Sequence, residues 1–161
     1  MHFNLNEKTE YMKIQLKIIS ALVFSLVAFA AQAEITIKDP WVRATVPQQM
    51  ATGAFFQIQS SADMRVVSVQ TSVAGVAEIH EMKMENNLMK MRAVEHLDLT
   101  AGKMVELKPG GYHLMLMDLK KQIKVGDVIP LTLVVEGKDK KRESIQIKLK
   151  ARSLSGLENK M

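Results

Sequence analysis

Two short stretches of this sequence concentrate imidazole and thioether side chains at two-residue spacing. The first runs His80-Glu81-Met82-Lys83-Met84-Glu85-Asn86-Asn87-Leu88-Met89-Lys90-Met91, and the second is Tyr112-His113-Leu114-Met115-Leu116-Met117. Alternate residues of an extended chain share a face, so each stretch, as strand, gathers a histidine and its methionines on one side. Positions i and i+2 lie roughly 6.6 Å apart along a strand, close enough for imidazole and thioether to meet on one ion. Thioether sulfur is soft. It suits Cu(I) and binds zinc, magnesium or calcium poorly. The sequence has 12 methionines and 4 histidines but no cysteine. Disulfides, thiolate zinc or iron–sulfur sites and a blue-copper centre are thereby excluded.

Something must hold these side chains in place, and the sequence points to strands. Glu85-Asn86-Asn87-Leu88 reads as a tight hairpin, because asparagine tolerates the positive φ that two-residue loops require. With Asn86 and Asn87 as the loop, Met84 pairs with Met89 and Met82 with Met91. His80 then falls opposite Ala93 and diagonal to Met91 on one face. The other face carries Glu81, Lys83, Glu85, Lys90 and Arg92 and is expected to be wet, leaving the His80 face sheltered. Strands are also expected at residues 54–59, 65–70, 77–84, 88–94, 104–107, 112–118, 129–135 and 144–150. Turn signals such as Pro109-Gly110-Gly111 and Gly126-Asp127 separate them. No stretch sustains a helical period. The pattern predicts an all-β domain, an antiparallel sandwich or barrel with Greek-key connections.

Of the 161 residues 47% are apolar and 24% charged, which is globular composition; the formal charge is +5. The cations Lys138, Lys140, Lys141 and Arg142 stand with Asp139 and Glu143, without interleaved aromatics. They read as a solvated turn rather than a nucleic-acid surface. Lys13 and Lys17 precede an uncharged run from Ile18 to Ala30, followed by Ala31-Gln32-Ala33. That is the plan of a secretory signal peptide, too short to span a bilayer. Residues 1–33 are expected to be removed, with Met12 as an alternative start, leaving a single domain over residues 34–161 outside the cytoplasm, in the periplasm.

Each of these residues also has a plainer reading. Methionine fills gaps in cores, and Met50, Met64 and Met104 are assigned to packing. Met82, Met84, Met89 and Met117 are read as packing around a site rather than as its ligands. His96 reads as a loop or edge histidine. A hydrolase built on His80 and Glu81 is disfavoured, since no further carboxylate or triad set accompanies them. No enzyme activity is expected.

Taken together, the residues point further. The spacing His80, ten residues, Met91, twenty-one residues, His113, one residue, Met115 resembles the signature of the periplasmic copper chaperone family PCuAC. Lys108-Pro109-Gly110-Gly111-Tyr112-His113 and Gly126-Asp127-Val128-Ile129-Pro130 are similar to that family too. The resemblance runs from about Ile37 to Leu149. It implies a cupredoxin-like β-sandwich with one Cu(I) per chain, bound by His80, Met91, His113 and Met115. It also implies delivery of copper towards the dinuclear copper centre of cytochrome c oxidase, with an oxidase subunit or a thiol-containing chaperone as partner. A monomer, with no nucleic acid and no membrane span after cleavage, is expected. The segment 151–161 holds Met161 and no histidine, so a Cu(II) site there is not expected. Imidazole must lose its proton to bind metal, and histidine titrates near ~6.5. Cu(I) affinity measured against pH should therefore fall below about pH 6; a flat profile to about pH 4 would remove both histidines from the ligand set.

Overall fold

The computed structural model describes residues 33–153, together with Met12. The rest of the expected leader and the end of the tail lie outside the described residues. Ten strands follow one another: β1 (Ile35–Arg43), β2 (Ala51–Ser60), β3 (Met64–Gln70), β4 (Ala74–Glu85), β5 (Leu88–Ala93), β6 (Leu97–Leu99), β7 (Met104–Leu107), β8 (Tyr112–Leu119), β9 (Val128–Gly137) and β10 (Arg142–Arg152). No helix among the described residues is long and apolar enough to cross a membrane.

The strand order is β5-β4-β8-β7-β2-β1-β10-β9-β3-β6, and β8 also pairs directly with β2. Consecutive strands such as β2 and β3, or β8 and β9, lie in opposite halves of this order, so the connections cross between two halves of the fold. Both halves fill one core. Ile79, Leu114, Leu116, Ala54 and Ile58 come from one side, and Val66, Leu131, Leu133, Val135 and Leu149 from the other. The all-β class and the mainly antiparallel pairing are as expected. The exceptions are β1 with β10, and the single pair Leu107 and Tyr112 of β7 and β8, which run parallel. Parallel neighbours need a long crossover, and between β1 and β10 the other eight strands supply it.

Two strands had no clear signal in the sequence. In β1 the alternation is broken at Lys38-Asp39-Pro40, where the register against β2 shifts and Asp39 takes a φ of 45°. A bulge of this kind hides a strand from any two-residue period. β6 is only three residues long.

The basic turn between β9 and β10 is solvated, as expected, but its cations are engaged. Glu136, buried near the end of β9, accepts from Arg142 Nε (2.9 Å) and from Arg65 Nη2 (2.7 Å), and Lys140 Nζ stands at 3.4 Å. These donors, Arg142 first, hold its carboxyl down at about 2 against an ordinary 4.5. A folded-state pKa below the unfolded one contributes stability that is complete above about pH 4.5 and is lost as pH falls towards 2. Thermal midpoints followed from neutral pH into acid should therefore drop less steeply in that window for Glu136→Gln than for the parent, starting from a lower value. Parallel curves would contradict this.

Candidate metal centre

The β4–β5 hairpin is built as its sequence demands. Asn86 and Asn87 take φ values of 51° and 61°, the left-handed pair of a type I′ turn. The register is Met84 with Met89, Met82 with Met91 and His80 with Ala93. On one face Arg92 reaches Glu81 (3.2 Å) and Glu85 (3.4 Å), and Lys90 lies 3.3 Å from Glu85. The Arg92 hydrogen bond holds the Glu81 carboxyl below the usual range, with a smaller contribution from Tyr112. Burial, then Glu81, pushes the Tyr112 hydroxyl up. These charges occupy one face of the hairpin and leave the opposite face to the methionines.

The other half of the site enters on β8. Its approach is the turn Lys108–Gly111, in which Gly110 adopts a φ of 84° after Pro109, as a type II turn requires. The Gly111 carbonyl accepts two hydrogen bonds, from the Met82 backbone N–H (3.1 Å) and from His113 Nδ1 (3.0 Å). One carbonyl thus ties β4 and the His113 ring to the same turn.

β4 and β8 pair so that His80 lies directly opposite His113, with ring centroids 5.9 Å apart. Met115, two residues along β8, lies between Glu78 of β4 and Gly53 of β2. Ile79, Leu114 and Leu116 belong to the core. Their strand neighbours His80, His113 and Met115 therefore point to the other face. Both histidines are nevertheless buried. An aromatic wall stands beside them: Phe55 is 6.5 Å from His113 between centroids, and Trp41 is 4.4 Å from Phe55. Gly53 makes room for that wall, since a Cβ there would come within 2.7 Å of Phe55 Cζ.

Hydrogen bonding sets which ring nitrogens are free. His113 donates through Nδ1 to Gly111, so its Nε2 carries the lone pair. His80 Nε2 lies 2.9 Å from Glu78 Oε2 and donates to it. His80 Nδ1 is buried with no partner. A buried, unpartnered acceptor is costly unless something binds it, and a histidine whose other nitrogen donates to a carboxylate is a common arrangement at metals. Among the described residues no three His, Asp or Glu side chains converge.

Of the four expected ligands, His80, His113 and Met115 occupy adjacent positions on one face of β4 and β8. Met91 lies on the neighbouring β5, diagonal to His80. The expectation of a sheltered methionine face requires correction beyond His80. Met84 is 59% exposed, Met89 48% and Met91 53%, because they stand on the face of the hairpin turned away from the core that Ile79 enters. Met84 and Met89 therefore pack no interior. Met82, Met115 and Met117 are partly buried. Met64 joins the core as expected, but Met50 and Met104 are exposed rather than packed. His96 is a surface residue 3.6 Å from Asp98. Glu78, the Gly111 carbonyl and the Phe55–Trp41 wall have no counterpart in the sequence reading. Strand alternation alone would have put Glu78 beside His80; nothing local announces the wall.

Comparison with known proteins adds context. The family described as "Putative lipoprotein LpqE-like" matches residues 35–147. A curated relative, "Uncharacterized protein RP573" of Rickettsia prowazekii (strain Madrid E), is 25% identical over 123 residues, 73% of this chain and 68% of the relative. Two solved structures share the fold. The "Apo PCuAC domain from PmoF1" superposes with a TM-score of 0.60 at 24% identity, covering 74% of this chain and 93% of its own. The "Solution structure of CuI-DR1885 from Deinococcus Radiodurans" gives 0.61 at 24% identity, covering 78% and 84%. The cupredoxin-like β fold expected from the sequence is the fold observed.

Proposed function

The chain belongs to the LpqE-like family, and from that premise we propose that it is an exported carrier of Cu(I), holding one ion tightly through His80, His113, Met115 and Met91. The observation that carries the reading is the pair of buried histidines with one nitrogen of each left for a metal, flanked by thioethers, with no third His, Asp or Glu converging on them among the described residues. Such a set favours Cu(I) over harder ions. The copper(I) form of DR1885, which shares this fold, supports the same ion. The signal-peptide pattern at the N-terminus and the lipoprotein description of the family support export to the periplasm.

A carrier must hold its cargo against loss and yet surrender it. His80, His113 and Met115 are held by β4 and β8, whereas Met91 stands on the exposed edge strand β5. Exchange with a partner's thiolates begins there: a Cu–S bond to the partner forms as the bond to Met91 breaks, and the ion stays Cu(I) throughout. The recipient is the dinuclear copper centre of cytochrome c oxidase, reached directly or through a thiol-containing chaperone. Deleting the gene should reduce oxidase activity at limiting copper and leave it normal when copper is abundant. Unchanged activity in both conditions would favour the second reading, a periplasmic copper buffer that uses the same site. Neither role calls for catalysis.

Glu78 positions the His80 ring and is not itself a ligand. Glu78→Gln should weaken Cu(I) binding by about 10–100-fold while leaving the stoichiometry at one tight ion. An affinity equal to the parent's would remove Glu78 from the site.

A further inference from the structure

The hairpin tip carries more thioether than one copper site uses. Met82 and Met84 share a face of β4, and their register partners Met91 and Met89 lie directly opposite on β5. Opposed residues of an antiparallel pair point to the same side, with Cβ atoms roughly 5 Å apart. Successive same-face positions are roughly 6.6 Å apart. Four thioethers therefore stand at the corners of a small rectangle. Methionine has three rotatable bonds and can turn sulfur inward from each corner.

Packing does not explain Met84, Met89 and Met91, which are exposed. Every residue of β5 is exposed, and the strand forms one edge of the sheet. The opposite face of the same hairpin is an ionic ladder, so the tip covers no core on either side. We propose that Met82, Met84 and Met89, with Met91 shared, form a second and weaker Cu(I) site made of thioethers alone. This deepens the carrier reading and rests on it for its role. With Met91 common to both sets, an ion passes from the histidine pair to the tip by exchanging Cu–N bonds for Cu–S bonds, one at a time and without change of oxidation state, and the exchange of Met91 for a partner's thiolate then begins from the tip. The tip is then where cargo enters and leaves.

The test is an anaerobic titration of the protein with tetrakis(acetonitrile)copper(I), followed through the methionine methyl signals in proton–carbon NMR spectra. The first equivalent should shift Met91 and Met115, and the second should shift Met82, Met84 and Met89. Met84→Leu/Met89→Leu should keep the first equivalent and lose the second. His80→Ala/His113→Ala should still shift Met84 and Met89. Silent Met84 and Met89 signals through two equivalents, or a leucine variant that binds as many ions as the parent, would overturn the second site while leaving the carrier reading intact. Shifts confined to the tip, in the parent protein, would instead sink the carrier reading and leave the thioether site standing.

Discussion

Replacing His113 by alanine is expected to weaken Cu(I) binding by more than about 100-fold, since loss of a partner that merely orients a ligand already costs about 10–100-fold. The ring is fixed at three points: β8 carries it opposite His80, Gly111 accepts from its Nδ1, and Phe55 stands beside it. That fixation leaves Nε2 ready to bind without rearrangement. Alanine removes the nitrogen and opens a gap by the aromatic wall through which water reaches the site. The fold should survive, because His113 faces away from the core that Leu114 and Leu116 help to form. Competition against a chromophoric Cu(I) chelator reads the affinity, and a loss below about tenfold would mean that the ring serves only packing.

The largest effect on stability should come from the other face of the same strand. Leu116 is fully buried and lies between Ala77 of β4 and Thr52 of β2. Leu116→Ala removes packing atoms and leaves a cavity that neighbouring strands cannot close, at a cost of about 2–5 kcal/mol. Met84→Ala, at the exposed tip, should change stability by less than about 0.5 kcal/mol. Urea unfolding of both variants separates them. Equal midpoints would contradict the assignment of Leu116 to the core and of Met84 to the surface.

Much of the site was legible from local pattern. Asn86-Asn87 and the alternation on either side of it determine the hairpin register, so Met82 opposite Met91 followed from spacing alone. The pairing of His80 with His113 did not. It depends on β8 lying next to β4, although β5, β6 and β7 intervene in the chain, and no local period records that. The resemblance of the spacing to a known family supplied what topology withheld. Burial was the weakest inference. Met50, Met84, Met89 and Met104 look like interior residues in a one-dimensional pattern, but whether a strand face is covered depends on where the opposing strands end. Glu78 and Gly53 matter through contacts with His80 and Phe55, the first visible only once a face is assigned, the second only once ring positions are known.

The most direct measurement is an anaerobic Cu(I) titration of the purified protein against a chromophoric Cu(I) chelator, with Met91→Ala and His113→Ala alongside. One ion per chain withheld from the chelator by the parent, and surrendered by both variants, is the expected result. A parent protein that withholds none would return His80, His113, Met91 and Met115 to structural roles and end the carrier reading.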